Sequence, residues 1–148
     1  MTILKTLDIA ASGMSVQRTR MNVAAMNIAN QNTTRTEEGG PYRRRDVVVR
    51  AAEIGDDSFS STLQRSIRGA EPSLGVEVET IEVSGDDPVM VYDPGHPDAD
   101  ATGHVATPNV SGIKEMVNMM GAARAYEAGT TVVQTAKDMA DIALRIGR

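Results

Sequence analysis

Residues 111–148, SGIKEMVNMMGAARAYEAGTTVVQTAKDMADIALRIGR, decide the fold. Between Ile113 and Ile146 there is no proline and only two glycines, Gly121 and Gly129. Apolar and small residues recur at helical spacing at Val117, Gly121, Ala125, Ala128, Val132, Met139, Ile142 and Ile146, and from Ala128 they keep the four-and-three rhythm of a coiled-coil seam. Glu127, Thr131, Gln134, Asp138, Asp141 and Arg145 form a polar stripe with the same period. A helix over this stretch would be roughly 50 Å long at 1.5 Å per residue. A chain of 148 residues cannot bury such a rod in an ordinary core, so a second long helix is needed beside it.

The other end of the chain supplies one. Over residues 3–28, Leu4, Leu7, Ala11, Met14, Met21, Ala25 and Ile28 keep a seven-residue rhythm that only Arg18 interrupts, and no proline breaks it. Asn27, Asn30, Gln31, Asn32 and Thr33 then end the helix, because asparagine competes for backbone hydrogen bonds. Between the helices the turn signals become dense. Glu37–Pro41 (EEGGP) is a break, Arg43–Arg50 reads as a strand, and Gly75–Ser84 reads as a strand with a bulge near Thr80. Val89–Tyr92 is a short strand, Val105–Thr107 closes the sheet, and Asn109 or Ser111 caps the long helix. In residues 51–74, Phe59, Leu63 and Ile67 fit either a short amphipathic helix or a loop. The expected class is therefore α+β. Long terminal helices pair as a coiled coil, and a small β-rich domain is inserted between them, giving divisions at 1–34, 35–108 and 109–148.

Composition agrees with slender packing. Aromatic residues are 3% of the chain, with no tryptophan and one phenylalanine, while methionine is common at nine residues. The net charge of −5 argues against a nucleic-acid partner. With no cysteine, a disulfide or thiolate site is excluded. A basic segment followed by an apolar run of ~7–15 residues is absent from the N-terminus, as is an apolar run of about 18 residues from the whole chain, so neither a Sec-type signal nor a membrane span is expected.

Site chemistry is thin. Asp93, His96, Asp98 and Asp100 superficially suggest a metal cluster, but the spacing suits neither zinc nor an EF-hand, and aspartates capping turn amides explain it better. His96 and His104 are the only histidines, and neither sits in a catalytic motif. Arg43, Arg44 and Arg45 read as solvent-facing or as partners in salt bridges between subunits rather than as a phosphate site. Met116, Met119 and Met120 fit a core face or an adaptable binding groove. No enzyme, cofactor, metal or small-molecule substrate is expected.

Ala25-Met26-Asn27-Ile28-Ala29-Asn30-Gln31-Asn32-Thr33 resembles the N-terminal signature of the axial proteins of the bacterial flagellum. The continuation through Gly39, Gly40, Pro41, Tyr42 and Arg43 is similar to the proximal rod branch of that rod and hook family. Further matching stretches are Tyr92–Asp100, Pro108–Val110 with Glu115–Val117, and Arg124-Ala125-Tyr126-Glu127-Ala128. Residues 51–84 carry no part of the resemblance. His104, Ala123 and Gly129 stand where it leads one to expect tyrosine, serine and asparagine.

The resemblance implies a structural subunit of the flagellar basal body, exported without a cleaved signal through the flagellar type III export apparatus. It would assemble in the periplasm, with copies of itself and other rod proteins, into the drive shaft that encloses the export channel. Implied partners are other proximal rod subunits, the distal rod and the adaptor between MS ring and rod. Expected subunit-interface residues are Leu4, Leu7, Ala11, Met14, Met21, Ala25, Asn27, Ile28, Asn30, Met116, Val117, Met120, Gly121, Ala125, Ala128, Val132, Met139, Ile142 and Ile146. Two other readings compete: a coiled-coil chaperone or adaptor of the secretion apparatus, and a hydrolase built on Asp93, His96 and Asp98.

Overall fold

The computed structural model describes residues 3–54, 63, 67 and 74–146. Helix α1 spans Ile3–Ala29, strand β1 Arg45–Glu53, β2 Leu74–Val83, β3 Val89–Tyr92, β4 His104–Thr107, and helix α2 Gly112–Ile146. The strands form two separate two-stranded sheets, β1 with β2 and β3 with β4. The single sheet expected to close at Val105–Thr107 is thus two ribbons. The reading of Phe59 lies outside the described residues. Leu63 and Ile67 are helical and exposed.

Two compact units divide the chain. One comprises Met1–Arg18, Val49–Glu79 and Ala123–Arg148, the other Thr19–Val48 and Thr80–Ala122. In the first, the N-terminal half of α1 lies against the C-terminal half of α2. Val16 and Ala136 are buried there. A Cβ on Gly129 would stand 2.7 Å from Met14 Cγ, so the glycine lets the methionine cross the helix closely. Strand β2 is tied to α1 at Ser12, whose hydroxyl accepts from the Val76 amide at 3.2 Å and donates to Ile9 O at 2.8 Å.

In the second unit the C-terminal half of α1 runs antiparallel to the N-terminal half of α2, with Asn27 opposite Glu115 and Gln31 against Gly112. Its buried apolar residues are Val23, Ala24, Val47, Val105 and Ala122. The glycines of the EEGGP break adopt φ of 90° and 75° at Gly39 and Gly40, which an L side chain resists. Here Thr36 N–H donates to Gly40 O and Tyr42 N–H to Thr33 O, closing the turn. β3 and β4 pair antiparallel, with Tyr92 opposite His104 and their rings edge-to-face at 5.3 Å.

Both long helices form as their patterns require, but the face covered within the chain differs from the expected seam. On α2 the buried or half-buried positions are Gly112 and Ala123 together with a stripe of Glu115, Met119, Ala122, Tyr126, Gly129, Val133, Ala136 and Ala140. The stripe also repeats at four and three, roughly a third of a turn round the helix from the expected one. Val117, Gly121, Ala125, Ala128, Val132, Met139 and Ile142 are exposed. The physical reason is a second heptad of equal period. It contains a glutamate and a tyrosine, which a pattern of apolar residues passes over, yet both are acceptable when hydrogen-bonded or half-buried.

Candidate functional site

The buried polar groups of the described residues converge on one point in the second unit. Asn27 is wholly buried and Glu115 keeps 2% of its surface. The Asn27 amide nitrogen donates to Arg45 O at 2.8 Å and to Glu115 Oε2 at 3.0 Å. Its oxygen accepts from Arg45 N–H at 3.0 Å and from the Tyr42 hydroxyl at 2.9 Å. The side chain therefore makes all four hydrogen bonds it is capable of. Toward Arg45 it behaves as a neighbouring strand would, offering a donor and an acceptor to one backbone residue just where β1 starts.

Glu115 receives a charged hydrogen bond from Arg44 Nε at 2.9 Å, and Arg44 also reaches Asp46 at 3.1 Å. Burial alone would lower the Arg44 pKa, but the hydrogen bonds to Glu115 and Asp46 and their charges outweigh it, leaving the guanidinium above its ordinary range. The Tyr42 phenol is also pushed up, first by burial and then by the Glu115 charge, against a pull downward from Arg45. Among the described residues no buried side-chain nitrogen or oxygen lacks a partner.

This clip revises two expectations. Asn27 is not a cap or a hand held out to another subunit, because every one of its bonds is made inside the chain. Arg44 is half-buried and its charge is paired with Glu115 and Asp46 of its own chain. Asn30 does cap the helix, donating to Met26 O at 2.9 Å and accepting from the Thr33 hydroxyl at 3.2 Å. Sequence reasoning missed Glu115 as a partner of Asn27. The available signal was a polar residue on the otherwise apolar stripe of each helix.

The remaining candidates with described side chains are exposed or half-buried. Leu4, Ala11, Ala25, Met116, Val117, Met120, Gly121, Ala125, Ala128, Val132, Met139 and Ile142 are exposed, while Leu7, Met14, Met21 and Ile28 are half-buried. In the first unit Ile9, Ala10, Gly13 and Met14 of α1 and Ala125, Gly129 and Val132 of α2 line an open, mostly apolar groove of about 450 Å³. In the second, Ile113, Met116, Val117 and Met120 expose 74, 47, 58 and 53% of their surfaces, whereas Met119 is half-buried. Of the motif residues, Arg43, Arg124 and Glu127 are exposed and Pro41 and Tyr126 half-buried.

The loop after β3 uses most of its acidic and histidine side chains to bond backbone amides of its own turns. Asp93 accepts from Gly95 N–H, His96 Nδ1 from Asp98 N–H, and Asp100 from Thr102 N–H, the Thr102 hydroxyl and His104 N–H. Asp98 takes a bond from the Thr34 hydroxyl at 2.8 Å. Among the described residues no group of three His, Cys, Asp or Glu side chains is arranged to hold a metal.

Long helices that leave most of their described residues exposed or half-buried, clipped together in the second unit by a buried polar network, define an elongated subunit suited to assembly. The family model described as "Flagella basal body rod protein" matches residues 7–35 and that described as "Flagellar basal body rod FlgEFG protein C-terminal" matches 101–146. The chain is 40% identical to the flagellar basal-body rod protein FlgC of Bacillus subtilis, with both chains covered in full. It is 37% identical to the FlgC of Borreliella burgdorferi, over 99% of this chain and 98% of that one, and 36% identical to that of Salmonella typhimurium over the whole of both. The chain belongs to the FlgC family of flagellar basal-body rod proteins. It is a structural subunit of the basal body rod and not an enzyme.

Proposed function

We propose that this subunit is built into the proximal rod by laying the exposed small-residue stripe of α2 against a helix of a neighbouring rod subunit. The observation that carries the reading is the exposure of Val117, Gly121, Ala125, Ala128, Val132, Met139 and Ile142 at coiled-coil spacing. Contiguous apolar faces of this kind mark interfaces. Heterologous contacts that do not close generate a helical shaft, and small side chains let its helices pack densely enough to carry torque. The neighbours in this reading are copies of the same chain, the other proximal rod subunits, the distal rod and the adaptor to the MS ring. The rod encloses the export channel, and the subunit reaches the periplasm through the flagellar export apparatus without a cleaved signal. Terminal parts 1–34 and 109–148 form the shaft, and 35–108 the outer domain.

Two leucine substitutions test this. Ala125 is exposed and lines the groove, so Ala125→Leu leaves the subunit's own core intact but overfills the contact, costing about 1–3 kcal/mol at every interface. Swimming in soft agar and the number of complete basal bodies should both collapse. Thr131→Leu, on the exposed polar stripe, should be tolerated. Normal swimming of Ala125→Leu beside a non-motile Thr131→Leu would reverse the faces and refute the assignment.

A further inference from the structure

The β3–β4 ribbon has two outer edges, and the chain treats them differently. In an antiparallel pair, residues alternate between bonding across the ladder and turning both backbone groups outward. Asp93 N–H donates to Gly103 O at 2.9 Å, in the register that sets Tyr92 opposite His104 and Val91 opposite Val105. Val91 and Val89 therefore bond across to β4, while Tyr92 and Met90 turn their N–H and C=O groups away from it. On β4 the outward positions are His104 and Ala106. That edge is partly closed, because Asp100 N–H donates to His104 O at 2.9 Å and the Asp100 carboxylate accepts from His104 N–H at 2.9 Å. The edge of β3 has no such cover. Among the described residues nothing bonds the outward backbone groups of Met90 or Tyr92, and the ribbon has no third strand. Both side chains are exposed, by 55 and 67%.

An open strand edge is a template for pairing with another chain, and folded proteins blunt such edges with charge, proline or brevity. Strand β3 reads Val-Met-Val-Tyr and carries no charge of its own. Pro88 and Pro94 stand just beyond its ends and have no N–H to offer, so the open run is limited to Met90 and Tyr92. An edge bounded in this way accepts a short strand and stops, where a longer one would propagate. Its flanks specify the charge of that strand. Asp86 and Asp87 lie exposed before β3 and Asp93 after it, and none of the three is ion-paired among the described residues.

We propose that the outer edge of β3 is a strand-addition site for an extended apolar segment of another protein that carries basic residues at its two ends. The backbones of Met90 and Tyr92 supply two donors and two acceptors, and the flanking aspartates attract and orient the basic ends. A second copy of β3 fits the edge less well. Antiparallel pairing centred on Val91 sets Met90 opposite Tyr92, but it also brings Asp87 of each copy toward Asp93 of the other, and like charges on neighbouring strands destabilise the pairing.

The probe is an acetylated, amidated heptapeptide of alternating valine and threonine with lysine at both ends, titrated to millimolar concentration into the isotope-labelled full-length chain. Hydrogen exchange of the Met90 and Tyr92 amides, read by NMR, should slow about tenfold near saturation, while that of Val91, already inside the ladder, stays as it was. Met90→Pro removes only an outward N–H, which an edge strand tolerates, so Val91 should remain protected and probe affinity should fall about tenfold. Asp87→Lys should weaken the lysine-ended probe about threefold and favour a glutamate-ended one.

Unaltered exchange of Met90 and Tyr92 at every probe concentration overturns the proposal. Equal binding of a probe N-methylated at every valine and threonine does so without relying on any variant, because side chains alone would then hold it. If the natural chain prefers the glutamate-ended probe, the assigned partner chemistry is wrong. Protection of both amides that grows with protein concentration in the absence of probe gives the edge to a second copy and overturns the proposal as well.

Discussion

Replacing Gly129 by alanine sets two effects of known size against each other. Glycine inside a helix is worse than alanine by about 1 kcal/mol, and nothing in the dihedrals of this residue forbids a side chain. On propensity alone the substitution should stabilise α2. The added methyl, however, would lie 2.7 Å from Met14 Cγ and 3.4 Å from its sulfur. The first distance is too short for two carbons, so Met14 or the helix must yield. Overpacking of this kind costs about 1–3 kcal/mol, and a value near the middle, about 2 kcal/mol, applies here because the close atom is Cγ, near the base of the methionine rather than at its flexible end. The net expectation is a loss of about 1 kcal/mol.

A double-mutant cycle isolates the contact. In a Met14→Ala background the obstacle is gone, and Gly129→Ala should then stabilise by about the full propensity difference of 1 kcal/mol. The coupling between the sites is therefore about 2 kcal/mol, well above the ~0.5 kcal/mol expected of independent positions. Urea unfolding of the four full-length chains, followed by circular dichroism at 222 nm, measures it. Equal stabilisation by Gly129→Ala in both backgrounds would refute the claim that this glycine exists to admit Met14.

Two further outcomes follow from the β3–β4 ribbon and its loop. Gly103 has φ of 79° and its Cβ position is 2.9 Å from the Tyr92 ring, so Gly103→Ala should destabilise by at least ~1 kcal/mol in urea unfolding, whereas Gly85→Ala, with open space around it, should not. Asp100 titrates below the ordinary carboxylate range because the Thr102 hydroxyl, the His104 amide and the Thr102 amide bond its ionised form, with the His104 charge adding to them against a small opposing effect of burial. A depressed folded-state pKa means that this contribution is complete above the ordinary aspartate pKa and is lost as pH falls through the folded value. Carboxyl carbon shifts of Asp100 should therefore titrate below those of a model peptide, and Thr102→Ala should raise the midpoint. An unchanged midpoint would remove the hydroxyl as the main cause.

Local chemistry made most of the elements legible. Val89–Tyr92 is bounded by proline and aspartate signals and forms over the same residues. Both helices run uninterrupted because proline is absent from their interiors. The turn at Gly39 and Gly40 and the amide-capping role of Asp93 and Asp100 were also readable, since each depends on conformational or hydrogen-bonding preferences of single residues. The family motif around Ala25–Thr33 was equally plain, because it is a matter of residue identity.

What sequence could not settle was the choice between faces. Two stripes of small residues with one period lie side by side on α2, and periodicity carries no information about which meets α1. The stripe that does so includes Glu115, a residue that any apolar pattern rejects until a partner is known. Its partner Asn27 is 88 positions away and reads equally well as a helix cap. Gly129 misleads in the same way, since its cost is local while its reason is the side chain of Met14 on the other helix. In each case the deciding term is a pairwise contact between the chain's two ends, whose sign depends on the partner. That leaves the more apolar stripe exposed, and under the proposed reading its exposure, not its burial, is what makes it available to a neighbouring subunit.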